Sequence, residues 1–127
     1  MSDSEHSLVA LTLLKGRTIE VKVTLSNYEV GRRLEYRVRD LFHKNGFFVI
    51  RAAQSKPIDL VCLRDGKSVL VECKAGGSFL GEARKQELLE LGQKSGAVVV
   101  LARRRHRKVE LTRLEDGHSL GAELSSL

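Results

Sequence analysis

The chain is expected to fold as a mixed α/β protein, a sheet of parallel and antiparallel strands flanked by helices. Three observations predict this. Two short apolar runs, Ile58 to Leu63 and Ser68 to Lys74, flank Arg64-Asp65-Gly66-Lys67. Asp-Gly between hydrophobic runs is among the strongest short-range hairpin signals. Helical segments lie on either side of that hairpin, and the wholly apolar stretch Ala97 to Ala102 follows the second. A strand before a helix and the strand after it are usually parallel neighbours joined by a right-handed crossover.

Leu8 to Leu14 and Thr18 to Leu25 read as two strands joined at Lys15-Gly16-Arg17, the second placing Ile19, Val21, Val23 and Leu25 on one face. Ser26 or Asn27 is placed to cap a helix that starts near Tyr28. Val30, Leu34, Val38, Leu41 and Phe42 form its apolar stripe, and Gly46 ends it. Phe47 to Arg51 is the next strand, followed by a loop, Ala52 to Pro57, and then the hairpin. Ala75-Gly76-Gly77-Ser78 is a loop, and Glu82 to Ser95 a second helix with apolar Leu88, Leu89 and Leu91. Gly96 stands just past its end. The almost wholly polar first half of that helix, Glu82 to Glu87, is expected to face solvent or a ligand. Arg103 to Lys108 reads as a basic turn, Val109 to Leu114 as the last strand, and Glu115 to Leu127 as a tail expected to fray.

A chain of 127 residues, 42% hydrophobic, is expected to form one domain over residues 1–127. Within it, 1–26 is an N-terminal β-hairpin extension, 27–114 the core and 115–127 the tail. No run of 18 apolar residues and no signal-peptide pattern at Met1-Ser2-Asp3-Ser4-Glu5 is present, so a cytoplasmic protein without membrane contact is expected. Lys and Arg number 22 against 16 Asp and Glu, a net charge of +6. That is the footprint of a nucleic-acid partner. Aromatic content of 5% and no Trp supply few stacking platforms for single strands, so contact with duplex backbone fits better. Arg103, Arg104, Arg105 and Arg107 in the basic run, and Arg32, Arg33 and Arg37 on the first helix, are the candidates to grip phosphates. The alternative for the basic run is a solvated turn.

Two cysteines, Cys62 and Cys73, lack Cys-x-x-Cys spacing and a His pair, which excludes a zinc site. Both are expected to be buried free thiols, too far apart along the hairpin for a disulfide. The four histidines have no metal-ligand spacing.

The hairpin carries the chemistry. With Asp65 and Gly66 as its loop, Arg64 faces Lys67 and Asp59 faces Glu72. Side chains alternate along a strand, so Lys74 projects on the same face as Glu72. Opposed side-chain roots lie roughly 5 Å apart, where like charges are destabilising. Two carboxylates and an ammonium on one face therefore point to a divalent cation held between the acids. The alternative is a solvated sheet face.

Pro57-Ile58-Asp59 and Val71-Glu72-Cys73-Lys74 on a central hairpin, in this order of elements, resemble the PD-(D/E)xK nuclease superfamily. Within it the chain is most similar to the archaeal Holliday junction resolvases. The likeness runs from about Gly31 to Ala102. Gly31-Arg32-Arg33-Leu34-Glu35 resembles the resolvase helix with its acidic metal-site residue, matching Glu35. Gly46 to Ala52 resembles the strand that carries a functional arginine, matching Arg51, and Lys94-Ser95-Gly96-Ala97 resembles the end of the following helix. Ile58 intervenes between Pro57 and Asp59, which the family usually has adjacent. Tyr36 follows Glu35 where an arginine is common, the loop between Arg51 and Pro57 is shorter than the resolvases' basic loop, and the strands before Asn27 have no counterpart.

The resemblance implies a restriction-endonuclease-like αβββαβ core and a metal-dependent endodeoxyribonuclease acting on branched or duplex DNA in recombination or repair. It implies Mg²⁺, with Mn²⁺ as substitute, held by Asp59 and Glu72 with the Cys73 carbonyl. Glu35 completes the metal shell, Lys74 orients water or meets phosphate charge, Arg51 contacts phosphate, and a homodimer makes paired cuts. Glu35 has an alternative as an ion pair with Arg39 one turn on, Arg51 as a surface arginine, and Gln86 as a solvated side chain rather than a site residue. For the whole chain the alternatives are a non-catalytic nucleic-acid-binding module on the same scaffold, or a repair- or restriction-type nuclease.

Overall fold

The computed structural model describes residues 7–14, 17–24, 27–52, 57–77, 79–121, 124 and 127, with side chains from residue 29 onward. The expected Lys15-Gly16 turn, the Ser26 cap and most of the loop before Pro57 lie outside the described residues.

Helix α1 (Asn27–Lys44) forms where apolar residues recur every three or four positions. Val30, Leu34, Val38 and Phe42 are buried along one stripe, with Leu41 partly buried beside them. His43 and Lys44 in its last turn suit the negative end of the helix dipole. The Asn45 side chain then donates to the Leu41 carbonyl at 2.8 Å, Phe47 N to the Phe42 carbonyl at 3.0 Å, and Gly46 turns the chain at φ +84°. The Phe47 ring meets Phe42 edge-on, centroids 5.0 Å apart.

Strands β1 (Ser7–Leu14) and β2 (Arg17–Thr24) pair antiparallel in a sheet of their own. The remaining strands are β3 (Phe48–Arg51), β4 (Leu60–Arg64), β5 (Lys67–Lys74), β6 (Val98–Arg105), β7 (Lys108–Arg113) and β8 (Ser119–Leu120). They form one six-stranded sheet in sequence order. Every neighbouring pair is antiparallel except β5 and β6, which are parallel and are joined through helix α2 (Glu82–Ser95). The mixed sheet with flanking helices is therefore the expected one.

Arg64 faces Lys67 across Asp65 (φ 49°) and Gly66 (φ 78°). Both loop residues have the positive φ that a tight hairpin with the right twist requires. Leu60, Cys62, Val69, Val71, Val100 and Ala102 pack with the α1 stripe. Leu70 and Val99 alternate to the opposite face and pack with Leu88 of α2. Gly92 lets α2 sit close on the sheet, since a Cβ there would fall 2.7 Å from Val99 Cγ2.

Three expectations need correction. The tail does not simply fray: Ser119–Leu120 adds a strand beside β7, and Leu120, Leu124 and Leu127 are buried in the α1-side core. Val109 to Leu114 is therefore not the last strand. The basic run is not a turn throughout, because Arg103 to Arg105 continue β6 and Lys108 opens β7, leaving only His106 and Arg107 between them. Cys62 and Cys73 are free, as expected, but only Cys62 is buried, and burial pushes its thiol up to about 12.

Candidate active site at the ends of β4 and β5

Asp59 and Glu72 are the buried charged residues among those described, with only 6% and 8% of their surfaces exposed. Asp59 sits one residue before β4 begins, yet backbone bonds hold it on both sides. Its N–H donates to the Val71 carbonyl at 3.2 Å, and its carbonyl accepts from Ala52 N at 2.9 Å. It thus continues the line of the ladder, whose last regular pair is Leu60 with Val71. Its Oδ2 accepts the Cys73 N–H at 2.7 Å. The expected juxtaposition with Glu72 is found, close enough for the charge of one carboxyl to act on the other. Burial first, and the Asp59 charge second, push the Glu72 carboxyl above the usual carboxylate range.

Lys74 lies two residues beyond Glu72 on the same face, half-buried. In the parallel ladder Glu72 stands beside Leu101 and Lys74 beside Arg103. Arg103 thereby belongs to the same face as the acidic pair. Alternation sends Arg105 to that face also, where it meets Glu110 at 3.3 Å, and sends Arg104 to the α1 side.

One residue of this site was missed by reading the sequence. Arg84, in the first turn of α2, brings Nη2 to 3.4 Å from Glu72 Oε2. The same nitrogen donates to the Pro57 carbonyl, and Nη1 pairs with Glu87 one turn on. Its partial offset of the burial and repulsion at Glu72 is electrostatic. The available signal was the polar first half of α2, but nothing in it singled out Arg84 over its neighbours.

Glu35 and Arg51 are brought together on the α1 side, Nε to Oε1 at 2.9 Å. Arg51 faces Leu60 in the β3–β4 ladder, and Leu60 belongs to the α1-side core. Tyr36, the departure from the family pattern, has the guanidiniums of Arg32, Arg39 and Arg51 over its ring at 5.6, 4.7 and 5.3 Å. Arg32 Nε also donates to its hydroxyl at 2.8 Å, which lowers the phenol's pKa. Arg39 meets Asp40 at 3.0 Å. Among the described residues no three His, Cys, Asp or Glu side chains gather as a metal cluster. Gln86 is exposed and lies 3.5 Å from Glu82. Arg33 is exposed on α1.

The family model for the archaeal Holliday junction resolvases, Hjc, matches residues 26–120. This chain belongs to that family. The crossover junction endodeoxyribonuclease Hjc of Methanocaldococcus jannaschii is 34% identical over 64 residues. That match spans 50% of this chain and 48% of the relative, about half the length of each. The structure of Hjc from Archaeoglobus fulgidus, a Holliday junction resolvase from an archaeal hyperthermophile, superposes with a TM-score of 0.59 at 21% identity. It covers 67% of this chain and 73% of that one, and the likeness is one of fold. The matched region of the family model takes in Glu35, Arg51, Asp59, Glu72, Lys74 and Arg84 and leaves out the whole of the β1–β2 hairpin. No helix among the described residues is long and apolar enough to cross a membrane.

Proposed function

We propose that this chain is a Mg²⁺-dependent, structure-selective endonuclease that hydrolyses phosphodiester bonds in four-way DNA junctions, acting as a homodimer. The observation that carries the reading is the buried pair of juxtaposed carboxyls, Asp59 and Glu72, with Lys74 on the same face. Two acids buried against each other destabilise the fold unless a cation shares them. Their oxygens are the hard donors that Mg²⁺ prefers, and Mn²⁺ accepts the same set. Asp59 and Glu72 would hold the ion.

When bound, a divalent cation acidifies water and offsets charge on the phosphate. The protein's own groups do the rest. Lys74 orients the attacking water and meets the negative charge that develops on the phosphate oxygens. Arg103, beside it, fixes the neighbouring backbone phosphate. Cys73 N–H holds the Asp59 carboxylate in place at 2.7 Å. On the α1 side Glu35 positions Arg51 for a phosphate, and Arg32 and Arg33 extend that contact along the helix. Arg104, Arg105 and Arg107 add sequence-independent grip on DNA backbone.

The test is cleavage of labelled four-way junction and linear duplex, with Mg²⁺, with Mn²⁺ and with chelator. Metal-dependent cutting of the junction in preference to the duplex is the expected result. Tight junction binding without cutting under any metal would instead identify a DNA-binding module on a nuclease scaffold.

A further inference from the structure

Arg84 occupies a position that its charge disfavours. It lies in the first turn of a fourteen-residue helix, near the positive end of the dipole, where Asp and Glu are the favourable residues. Its side chain is about two-thirds covered and reaches Glu72, Glu87 and the Pro57 carbonyl. Glu72 and Pro57 are not on its own helix: one is a carboxylate of the acidic pair, the other the backbone two residues before Asp59. The guanidinium therefore sits beside the two acids as their compensating positive charge. The approach to Glu72, at 3.4 Å, is a loose one, whereas Glu87 supplies a partner on α2 itself.

We propose that Arg84 holds the cation's place in the DNA-free protein and passes to a DNA phosphate when a divalent cation takes Asp59 and Glu72. This rests on the reading of those acids as a metal site. Two like charges cannot share the Glu72 carboxylate at close range without repulsion, so the incoming cation weakens the hold of Glu72 on Arg84. Glu87 keeps the released side chain at the mouth of the site, and the planar guanidinium fork matches phosphate oxygens. The exchange couples the two binding events. Metal loading frees Arg84 for a phosphate, and a phosphate on Arg84 removes the competitor of the metal.

Calorimetric titration of Mn²⁺ into DNA-free wild type, Arg84→Gln, Arg84→Lys and Glu72→Gln tests the first half. Arg84→Gln is expected to bind Mn²⁺ at least about fivefold more tightly than wild type, since a unit positive charge near the site is removed. Arg84→Lys, which keeps the charge, is expected to stay near wild type, and Glu72→Gln to lose the binding. Mn²⁺ binding that survives Glu72→Gln, or none in wild type, overturns the metal-site reading and the proposal with it. Glu72-dependent binding that is equal or weaker in Arg84→Gln overturns the proposal alone. The second half is read from the salt dependence of junction affinity, in Ca²⁺ and in chelator. Arg84→Gln is expected to flatten the slope by about 0.9 in Ca²⁺ and to leave it unchanged in chelator. Equal slopes for wild type and variant in Ca²⁺ overturn the transfer to phosphate.

Discussion

Arg37 Nη2 on α1 donates a 2.9 Å hydrogen bond to the backbone carbonyl of Arg107, seventy residues away. The basic face of the first helix and the β6–β7 turn are therefore one surface, not two competing footprints. His106 and Arg107 both take positive φ there, 51° and 66°, a conformation that favours glycine or asparagine. The turn is held in shape partly by that hydrogen bond from α1.

If this joined surface lies on DNA backbone, neutralising Arg103, Arg104, Arg105 and Arg107 together weakens affinity for all sequences alike. The slope of log affinity against log salt is expected to flatten by about 0.9 for each phosphate that the protein no longer neutralises. Adding Arg37→Gln is expected to flatten it further. Fluorescence anisotropy across a salt series measures it, and a slope equal to wild type in the quadruple variant would place the footprint off this surface.

Neutralising either acid separates catalysis from binding. Asp59→Asn and Glu72→Gln are expected to lose roughly a hundredfold or more in metal-dependent cleavage, the scale of removing one charge stabiliser. Junction affinity is expected to be kept or improved. Cleavage at the wild-type rate in either variant refutes the assignment.

Glu72→Gln carries a second, pH-dependent consequence. Burial and Asp59 raise the folded-state pKa of Glu72. The stability this group contributes is thus fully present below the ordinary glutamate value, about 4.3, and is lost as pH rises through the raised folded value. Without divalent cations, Glu72→Gln is expected to melt higher than wild type at pH 7, on a scale of roughly 4 °C per kcal/mol for a domain of this size. The advantage is expected to vanish near pH 4. Thermal melts in chelator at both pH values decide it, and a variant that melts lower at pH 7 contradicts the strained pair.

Gly92 positions α2, and through it Arg84. A methyl there meets Val99 Cγ2 at 2.7 Å and the Ala97 carbonyl at 3.1 Å, neither of them the free end of a long, flexible side chain. Gly92→Ala gains about 1 kcal/mol of helix propensity but suffers overpacking of about 1–3 kcal/mol. A net loss is expected in denaturant melts, together with weaker cleavage. A stabilised variant would mean that α2 sits less tightly on β6.

Two symmetric cuts across a two-fold junction call for a C2 dimer. Sedimentation at micromolar concentration is expected to give twice the 14.2 kDa chain mass. A monomer with and without DNA would favour a single-strand nicking activity.

The sequence by itself determined what depends on local spacing. Asp65-Gly66 between alternating apolar runs permits one tight turn, and one turn fixes every facing pair. The opposition of Asp59 to Glu72, with Lys74 on their face, therefore followed from residue counting. The α1 stripe and the span Glu82–Ser95 followed likewise from helical period and a terminal glycine. Tertiary structure alone decided how segments meet when their spacing carries no geometric rule. Arg84 meets Glu72 only because Gly92 and Leu88 seat α2 against the sheet at one height. Arg103 joins Lys74 only through a parallel register set by the α2 crossover. Glu35 meets Arg51 through the packing of α1 over the face of the sheet that carries Leu60. Leu120, Leu124 and Leu127 lie in the stretch expected to fray, and they become core because they cover part of the α1-side face. Such choices are made by how whole surfaces pack, a property that no local pattern of residues encodes.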